Sequence, residues 1–512
     1  MEERPIVIIG SGIAGLSAAL TLAAQHRQVI VLDRGDAPGG KMRTIEVNGQ
    51  AIDSGPTVLT MRSVFDELLD DVGFSLDELV PTVPLDCLAR HAWNESERLD
   101  LYAERNRSID AIGDFAGSAE ADAYRRFCQA AGRTYETLEY SFLRASKPNP
   151  LSLSWRARSK GPAAMLGIKP FSSFWQVLTS YFRDPRLIQL FGRYATYCGC
   201  SPWQAPATLM LIAHLEQEGV WRVRGGMQRL ADGLMLAARQ RGVMFRFGEE
   251  VVDIATRGGS VSTVMLRNRE RIECDSIICT ADPSALNQGL LGSIAATSIK
   301  RPKPRQRSLS AITWSMTGRP SGFDLAYHNV FFSSDYAKEF QQLFAGQTVP
   351  SQPTVYLCAQ DQGEDPPAEG DPQRLFCLIN APAIGDKHTF NQQEIASCTQ
   401  RTMRMLASCN LQIETSPEHM QVTTPSDFAK RFPGSAGALY GKATHGWRSA
   451  FQRPSARTRL SGLYLAGGGV HPGPGVPMVA LSGRLAAHAL LQDQASTRRL
   501  VPAATVGGMS TP

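Results

Sequence analysis

Short uncharged runs rich in β-branched residues stand near both ends of the chain, each followed by a glycine-rich turn and then by an apolar stretch. Near the start, Ile6-Val7-Ile8-Ile9 predicts a strand buried on both faces, residues 16–24 a helix, and Val29-Ile30-Val31-Leu32 a second buried strand. Near the end, residues 462–465 predict a strand, Ala466-Gly467-Gly468-Gly469 a turn, and residues 478–491 a helix. Between them the texture changes. Residues 83–220 read as helical and aromatic, including Tyr124, Phe127, Trp155, Phe171 and Trp175, with basic loops holding Lys147, Arg156, Arg158, Lys160 and Lys169. A helix follows Arg224-Gly225-Gly226-Met227 and stops at Gly242; residues 243–247, 251–254 and 275–281 then read as strands. Residues 301–430 hold strand-like pieces at 310–316, 354–359 and 375–379 and one helix at 393–406, which predicts an antiparallel sheet with flanking helices. Residues 492–512 are polar and aperiodic, and predict a flexible tail.

Composition narrows the classes. With 512 residues, more than one core is expected, and 43% hydrophobic against 20% charged residues describes a folded chain. A net charge of +5 over this length excludes the strong basic field of a nucleic-acid binder, while an anionic membrane surface stays compatible. Ten cysteines are too dilute for a disulfide scaffold and show no zinc-type pairing, so no metal is expected. The start lacks a secretory-leader pattern, and no apolar run reaches the roughly 18 residues that a spanning helix needs. A cytoplasmic, reducing setting is expected.

The candidate chemistry begins at Gly10-Ser11-Gly12-Ile13-Ala14-Gly15, which lies between a predicted strand and a predicted helix. This is a dinucleotide fingerprint in its required context. Gly10 allows the tight turn, Gly12 lets backbone approach a pyrophosphate, and Gly15 lets helix and strand pack closely. Ile13 and Ala14 open the helix whose N–H groups and positive dipole end would meet the phosphates. Asp33, eighteen residues after Gly15, ends the second strand, where a carboxylate would accept from the adenosine ribose.

The next residues resemble the glutathione-reductase-like flavoproteins, in the branch shared by amine oxidases and carotenoid desaturases. The matching loops are Arg34-Gly35-Asp36-Ala37-Pro38-Gly39-Gly40-Lys41-Met42-Arg43 and Asp53-Ser54-Gly55-Pro56-Thr57. The resemblance implies that Arg34, Gly39, Gly40, Lys41, Arg43, Gly55, Pro56 and Thr57 contact FAD, and that the Val251 backbone caps the adenine edge. The C-terminal run from Leu463 through Gly467-Gly468-Gly469-Val470-His471-Pro472-Gly473-Pro474-Gly475-Val476-Pro477-Met478 resembles the signature of the bacterial-type phytoene desaturase family. So do Phe432-Pro433-Gly434 and Arg453-Pro454. Within the family the form is most similar to the 1-hydroxycarotenoid 3,4-desaturases.

That resemblance implies an α/β fold with a Rossmann-type FAD-binding domain and a mixed-sheet substrate domain; the aromatic stretch with its basic loops predicts a helical membrane-facing lid or, alternatively, an ordinary helical core with solvated basic loops. Residues 1–82, 221–300 and 441–491 would form the FAD-binding domain, 83–220 the lid and 301–440 the substrate domain. Gly468, Gly469, Val476, Pro477 and Met478 would bring a second helix N-terminus to the flavin, without the Asp that many wider relatives place there. The implied reaction removes a hydride and a proton from an acyclic carotenoid, with quinone or oxygen as final acceptor, at the inner or photosynthetic membrane. His471 is the candidate for proton transfer or, alternatively, a brace for its own loop. Arg193 and Tyr194 either line the substrate channel or pack. Competing readings are a phytoene desaturase, a carotene cis–trans isomerase, a carotenoid oxygenase, an amine oxidase or a non-enzymatic prenyl-lipid binder. Oligomeric state is not indicated.

Overall fold

The uncharged β-branched run at the start becomes the centre of a parallel sheet. In the computed structural model, which describes residues 4–146, 172–300, 307–363, 366–368, 370–446 and 448–500, β1 (Ile6–Ile9) is flanked by β2 (Val29–Leu32) and β4 (Ser276–Cys279). Outside them lie β3 (Met244–Arg246) and β5 (Leu463–Leu465), in the order β5-β4-β1-β2-β3 with every pairing parallel. Three separated parts of the chain therefore build one sheet. Helix α1 (Ile13–Ala23) is buried at every residue, which is why it carries no charge. It packs between α2 (Gln228–Gln240) and α3 (Val476–Leu500) through Leu16, Leu20, Leu230, Leu234, Ala480 and Ala487.

The α1–α3 contact is close enough to require glycine. A Cβ on Gly483 would stand 2.2 Å from the Ala14 carbonyl oxygen. Gly483→Val is expected to push the helices apart and cost about 1–3 kcal/mol, read as a lowered urea midpoint of the FAD-loaded protein.

A second, eight-stranded sheet forms the other half of the molecule. Ser310–Ser321 lies between Gln373–Ala381 on one side and Gln412–Glu414 and Met420–Thr423 on the other, all antiparallel. The sheet continues through Val355–Ala359 and His328–Phe331 to Cys87–Ala92, where the one parallel pairing of this sheet occurs, and ends at Arg98–Tyr102. The sheet is mixed, as the resemblance implied. Its last two strands correct the helical reading of residues 83–102. Leu99 and Leu101 are buried while their neighbours are not, a period of two, and Arg90 on one strand holds Asp100 on the other at 2.7 Å. Helical texture begins at Arg105–Ala116 and continues in Ser118–Leu138, Phe174–Tyr181 and Pro185–Gly192, which pack around Phe127, Phe182 and Phe191. The basic loop residues Lys147 to Lys169, with Trp155 and Phe171, lie outside the described residues.

The predicted tail needs correction over residues 492–500, while residues 501–512 lie outside the described residues. Helix α3 runs on to Leu500 because polar residues past 491 find partners: Asp493 accepts from Arg457 at 2.9 Å and from the Tyr464 hydroxyl at 3.0 Å.

Candidate active site

The turn after β1 is tight. Gly10 holds φ of +101°, and a Cβ there would stand 2.3 Å from Thr280 Oγ1. A Cβ on Gly15 would lie 2.0 Å from the Gly10 carbonyl oxygen, so α1 starts directly against the turn. Gly12 differs, since the nearest atom to a Cβ there is the Gly39 carbonyl oxygen at 3.8 Å. It borders a cavity of about 1430 Å³. The Gly39 N–H donates to the Ser11 carbonyl at 3.0 Å, so the two glycine loops meet backbone to backbone. The first main-chain bond of α1 joins the Leu16 N–H to the Gly12 carbonyl, and no side chain caps the helix. The Ile13, Ala14 and Gly15 amides thus have no intrahelical partner at a positive helix end. A phosphate fits this cradle, which a side chain at Gly12 would fill.

Asp33 is held in place by the Ser11 N–H (2.6 Å), the Ser11 hydroxyl (2.7 Å) and the Gly35 N–H (2.7 Å). A carboxylate has about four lone-pair sites, so one remains for a hydroxyl donor in the cavity. Val251 begins the strand Val251–Arg257 beside it, and the preceding Glu249 N–H donates to the Asp33 carbonyl at 2.8 Å.

The C-terminal glycine turn reaches the same cavity from the far end of the chain. The Gly467 N–H donates to Ser482 Oγ (3.1 Å), and Arg453 reaches the Gly468 carbonyl at 2.9 Å. Helix α3 opens with a bond from Val479 to the Gly475 carbonyl, so its Val476 and Met478 amides also lie at an open helix end. Because Gly483 brings α3 onto α1, both helix N-termini border one cavity. Every cofactor-contacting residue expected from the sequence lines that cavity except Gly15, which packs behind it.

Two basic side chains sit differently from a simple phosphate role. Lys41 Nζ donates to the Leu439 carbonyl and lies 5.3 Å from the centre of the Phe432 ring. Burial lowers its pKa, with Asp282 opposing the shift. Burial, aided by Arg431, also brings Arg43 down to about 10. Arg34 is exposed at the rim and donates to the Lys430 carbonyl at 3.1 Å.

Beyond the cradle the cavity wall turns apolar, with Leu138, Phe142, Leu209, Ile212, Leu215 and Phe376 among its residues. Its volume exceeds the roughly 300–1,000 Å³ of a single small-ligand pocket. A hydrogen-bonded polar cluster lies in this wall. Glu216 Oε2 accepts from the Tyr194 hydroxyl (2.6 Å) and Oε1 from the Tyr197 hydroxyl (3.0 Å), while Arg193 donates to Tyr197 Oη at 3.0 Å. Arg193 and Glu216 are enclosed by protein yet keep some accessible surface, because that surface borders the cavity. Burial raises the Glu216 pKa, opposed by the two tyrosines and Arg193. Of the two readings left open for this pair, Arg193 lines the cavity, whereas Tyr194 packs behind the wall. Glu216 was missed. Its signal was its place four residues after Ile212, on one face of Leu211–Gln217.

His471 is not brought to the cavity wall. Its Nε2 lies 2.9 Å from the Phe142 carbonyl oxygen, its own N–H donates to Pro454, and its carbonyl accepts from Ser482. Burial holds His471 at about 4, and likewise His91 at about 4 and His328 at about 3, against an ordinary value of 6.5. The folded protein keeps these rings neutral while the unfolded chain protonates them below 6.5. Their contribution to stability is therefore complete above 6.5 and lost as pH falls toward 4. Unfolding midpoints of the FAD-loaded protein are expected to drop between pH 7 and pH 5, with a shallower slope in His471→Asn. Equal slopes would remove His471 from the account.

Among the described residues no helix is long and apolar enough to cross a membrane, and no cluster suits a metal ion. The flavin containing amine oxidoreductase family matches residues 13–491. A hydroxyneurosporene desaturase of Rubrivivax gelatinosus is 47% identical over 512 residues, covering 100% of this chain and 98% of that one. A 1-hydroxycarotenoid 3,4-desaturase of Flavobacterium sp. (strain P99-3) is 30% identical over 497 residues, covering 94% of this chain and 98% of the relative. An oxidoreductase of Methanosarcina mazei has the same fold, with a TM-score of 0.59 at 15% identity over 96% of this chain and 100% of that one. The cofactor is FAD, and the protein is an oxidoreductase. With its double-ended glycine cradle and these full-length relatives, the chain belongs to the flavin containing amine oxidoreductase family, in its carotenoid desaturase branch.

Proposed function

We propose that this protein uses FAD to desaturate carbons 3 and 4 of an acyclic 1-hydroxycarotenoid such as 1-hydroxyneurosporene. The observation that carries the reading is the single cavity joining a dinucleotide cradle to an apolar tunnel, in a chain 47% identical to a hydroxyneurosporene desaturase. Bound FAD supplies the acceptor for the hydride. The chain's own part is to hold and dry the reactants. Gly12, Gly39, Gly40 and the α1 amides would hold the pyrophosphate, Asp33 the ribose, Val251 the adenine edge, and Gly468, Gly469 and the start of α3 the flavin end. The apolar wall excludes water and aligns the polyene, along which the developing positive charge spreads. His471, neutral and bonded away from the cavity, braces the C-terminal turn rather than moving a proton.

The described helices within residues 83–220 are the part we assign to the membrane surface, where a lipid-soluble substrate and a quinone acceptor are concentrated; oxygen is the alternative acceptor. Tyr140, 69% exposed in the turn Glu139–Leu143 that follows the long helix Ser118–Leu138, supports this placement. The test is anaerobic. FAD-loaded protein is mixed with vesicles carrying 1-hydroxyneurosporene, neurosporene or phytoene. Bleaching of the oxidised-flavin band by the hydroxylated substrate, with the protein sedimenting with the vesicles, is expected. A flavin that stays oxidised with all three would overturn the reading.

A further inference from the structure

We propose that Glu216 and Arg193 bind the substrate's carbon-1 hydroxyl and thereby select hydroxylated carotenoids and set carbons 3 and 4 against the flavin. The inference rests on the proposed function and extends it. In a wall facing a pure hydrocarbon a carboxyl and a guanidinium cost desolvation, which the two tyrosines offset in part and a polar group of the substrate would offset further. An alcohol both donates and accepts. Glu216 carries two oxygens that each accept one tyrosine hydroxyl, leaving lone pairs, and Arg193 has five N–H donors, of which one meets Tyr197. Tyr194, behind the wall, and Tyr197, which itself lines the cavity, hold the carboxyl, so its orientation is set before substrate enters.

The cluster's place agrees with the chemistry. In a 1-hydroxycarotenoid, carbon 2 alone separates the carbinol carbon from the bond between carbons 3 and 4. Its hydroxyl must therefore be held close to the flavin, not at the far end of the tunnel. Arg193 lies over the rings of Tyr197 (5.2 Å) and Tyr356 (5.5 Å). The Tyr356 hydroxyl is 2.6 Å from Thr57 Oγ1, and Thr57 belongs to the Gly55-Pro56-Thr57 loop assigned to the flavin. His328 Nδ1, 2.7 Å from the same hydroxyl, fixes Tyr356 from its other side. A line of contacts thus runs from the flavin loop through Tyr356, Arg193 and Tyr197 to Glu216.

The test compares 1-hydroxyneurosporene with neurosporene in the FAD-loaded protein, as the ratio of their kcat/KM values. A second arm measures the ratio of their affinities in dithionite-reduced protein, which cannot turn over, from the carotenoid absorption shift. Glu216→Leu is expected to lower both ratios by at least about tenfold with flavin content unchanged. Glu216→Gln, which keeps an acceptor for the tyrosines and folds if the leucine variant does not, should recover part of the preference. Turnover of the hydroxylated substrate with unchanged ratios in both variants would sink the hydroxyl site and leave the proposed function standing. No turnover, with a binding preference that Glu216→Leu abolishes, would do the reverse. Equal binding of the two carotenoids by the unaltered protein would also overturn the site.

Discussion

Gly12→Val is expected to yield a folded, colourless protein. At Gly12 the backbone has φ of −66° and ψ of 174°, which valine adopts without strain, and a Cβ meets only the Gly39 carbonyl oxygen at 3.8 Å. The fold therefore accepts the side chain, and the cradle does not. Filling it denies the pyrophosphate its approach to the α1 amides, and affinity for FAD should fall at least about 100-fold, or 2.7 kcal/mol. Flavin absorbance of the purified protein, its far-ultraviolet circular dichroism and its unfolding midpoint against the unaltered apoprotein together decide the matter. The contrast is Gly15→Val. There a Cβ would collide with the Gly10 carbonyl at 2.0 Å, so structure and flavin should be lost together. A Gly12→Val protein with a full complement of FAD would mean that the phosphates lie elsewhere.

Arg453→Met should be the most damaging change outside the glycines. Arg453 is 7% exposed, and its guanidinium donates to the carbonyls of Tyr440 (3.2 Å), Gly468 (2.9 Å) and Lys442 (2.9 Å) and to Thr444 Oγ1 (3.2 Å). It ties the segment before the last strand to the turn that follows it. Methionine fills similar volume but satisfies none of these acceptors, and each buried acceptor left unpaired costs about 1–3 kcal/mol. A loss of at least about 3 kcal/mol is expected in urea unfolding of the FAD-loaded protein, with faster flavin release as the Gly468 carbonyl loses its partner. A loss under about 1 kcal/mol would show that water replaces the guanidinium without strain.

Residues 83–102 differ from their helical texture because Leu99 and Leu101 alternate with polar neighbours in strands too short to outweigh the helical stretch that follows. The helix past residue 491 was missed because its polar residues are satisfied by Arg457 and Tyr464, both distant in sequence. His471 attracted attention through its motif, but its hydrogen-bond partners Phe142, Pro454 and Ser482 belong to other segments.

Local pattern alone determined the sheet core, the two glycine junctions and the first turn of the nucleotide cradle, Gly10 to Gly15 with Asp33; its later loops were expected from the family likeness. Those features depend on short-range rules: uncharged β-branched runs bury, glycines admit positive φ and close approach, and a helix end attracts anions. The pairing of the two junctions across more than 450 residues, seen as α3 resting on α1, was expected from a family likeness and realised by packing at Gly483. Only the tertiary structure decided the substrate end. Arg193, Glu216 and Tyr356 come from three different elements, and nothing in their separate neighbourhoods requires that they meet. Folding placed them in one apolar wall, where the scarcity of water turns an ordinary acid and base into a recognition site.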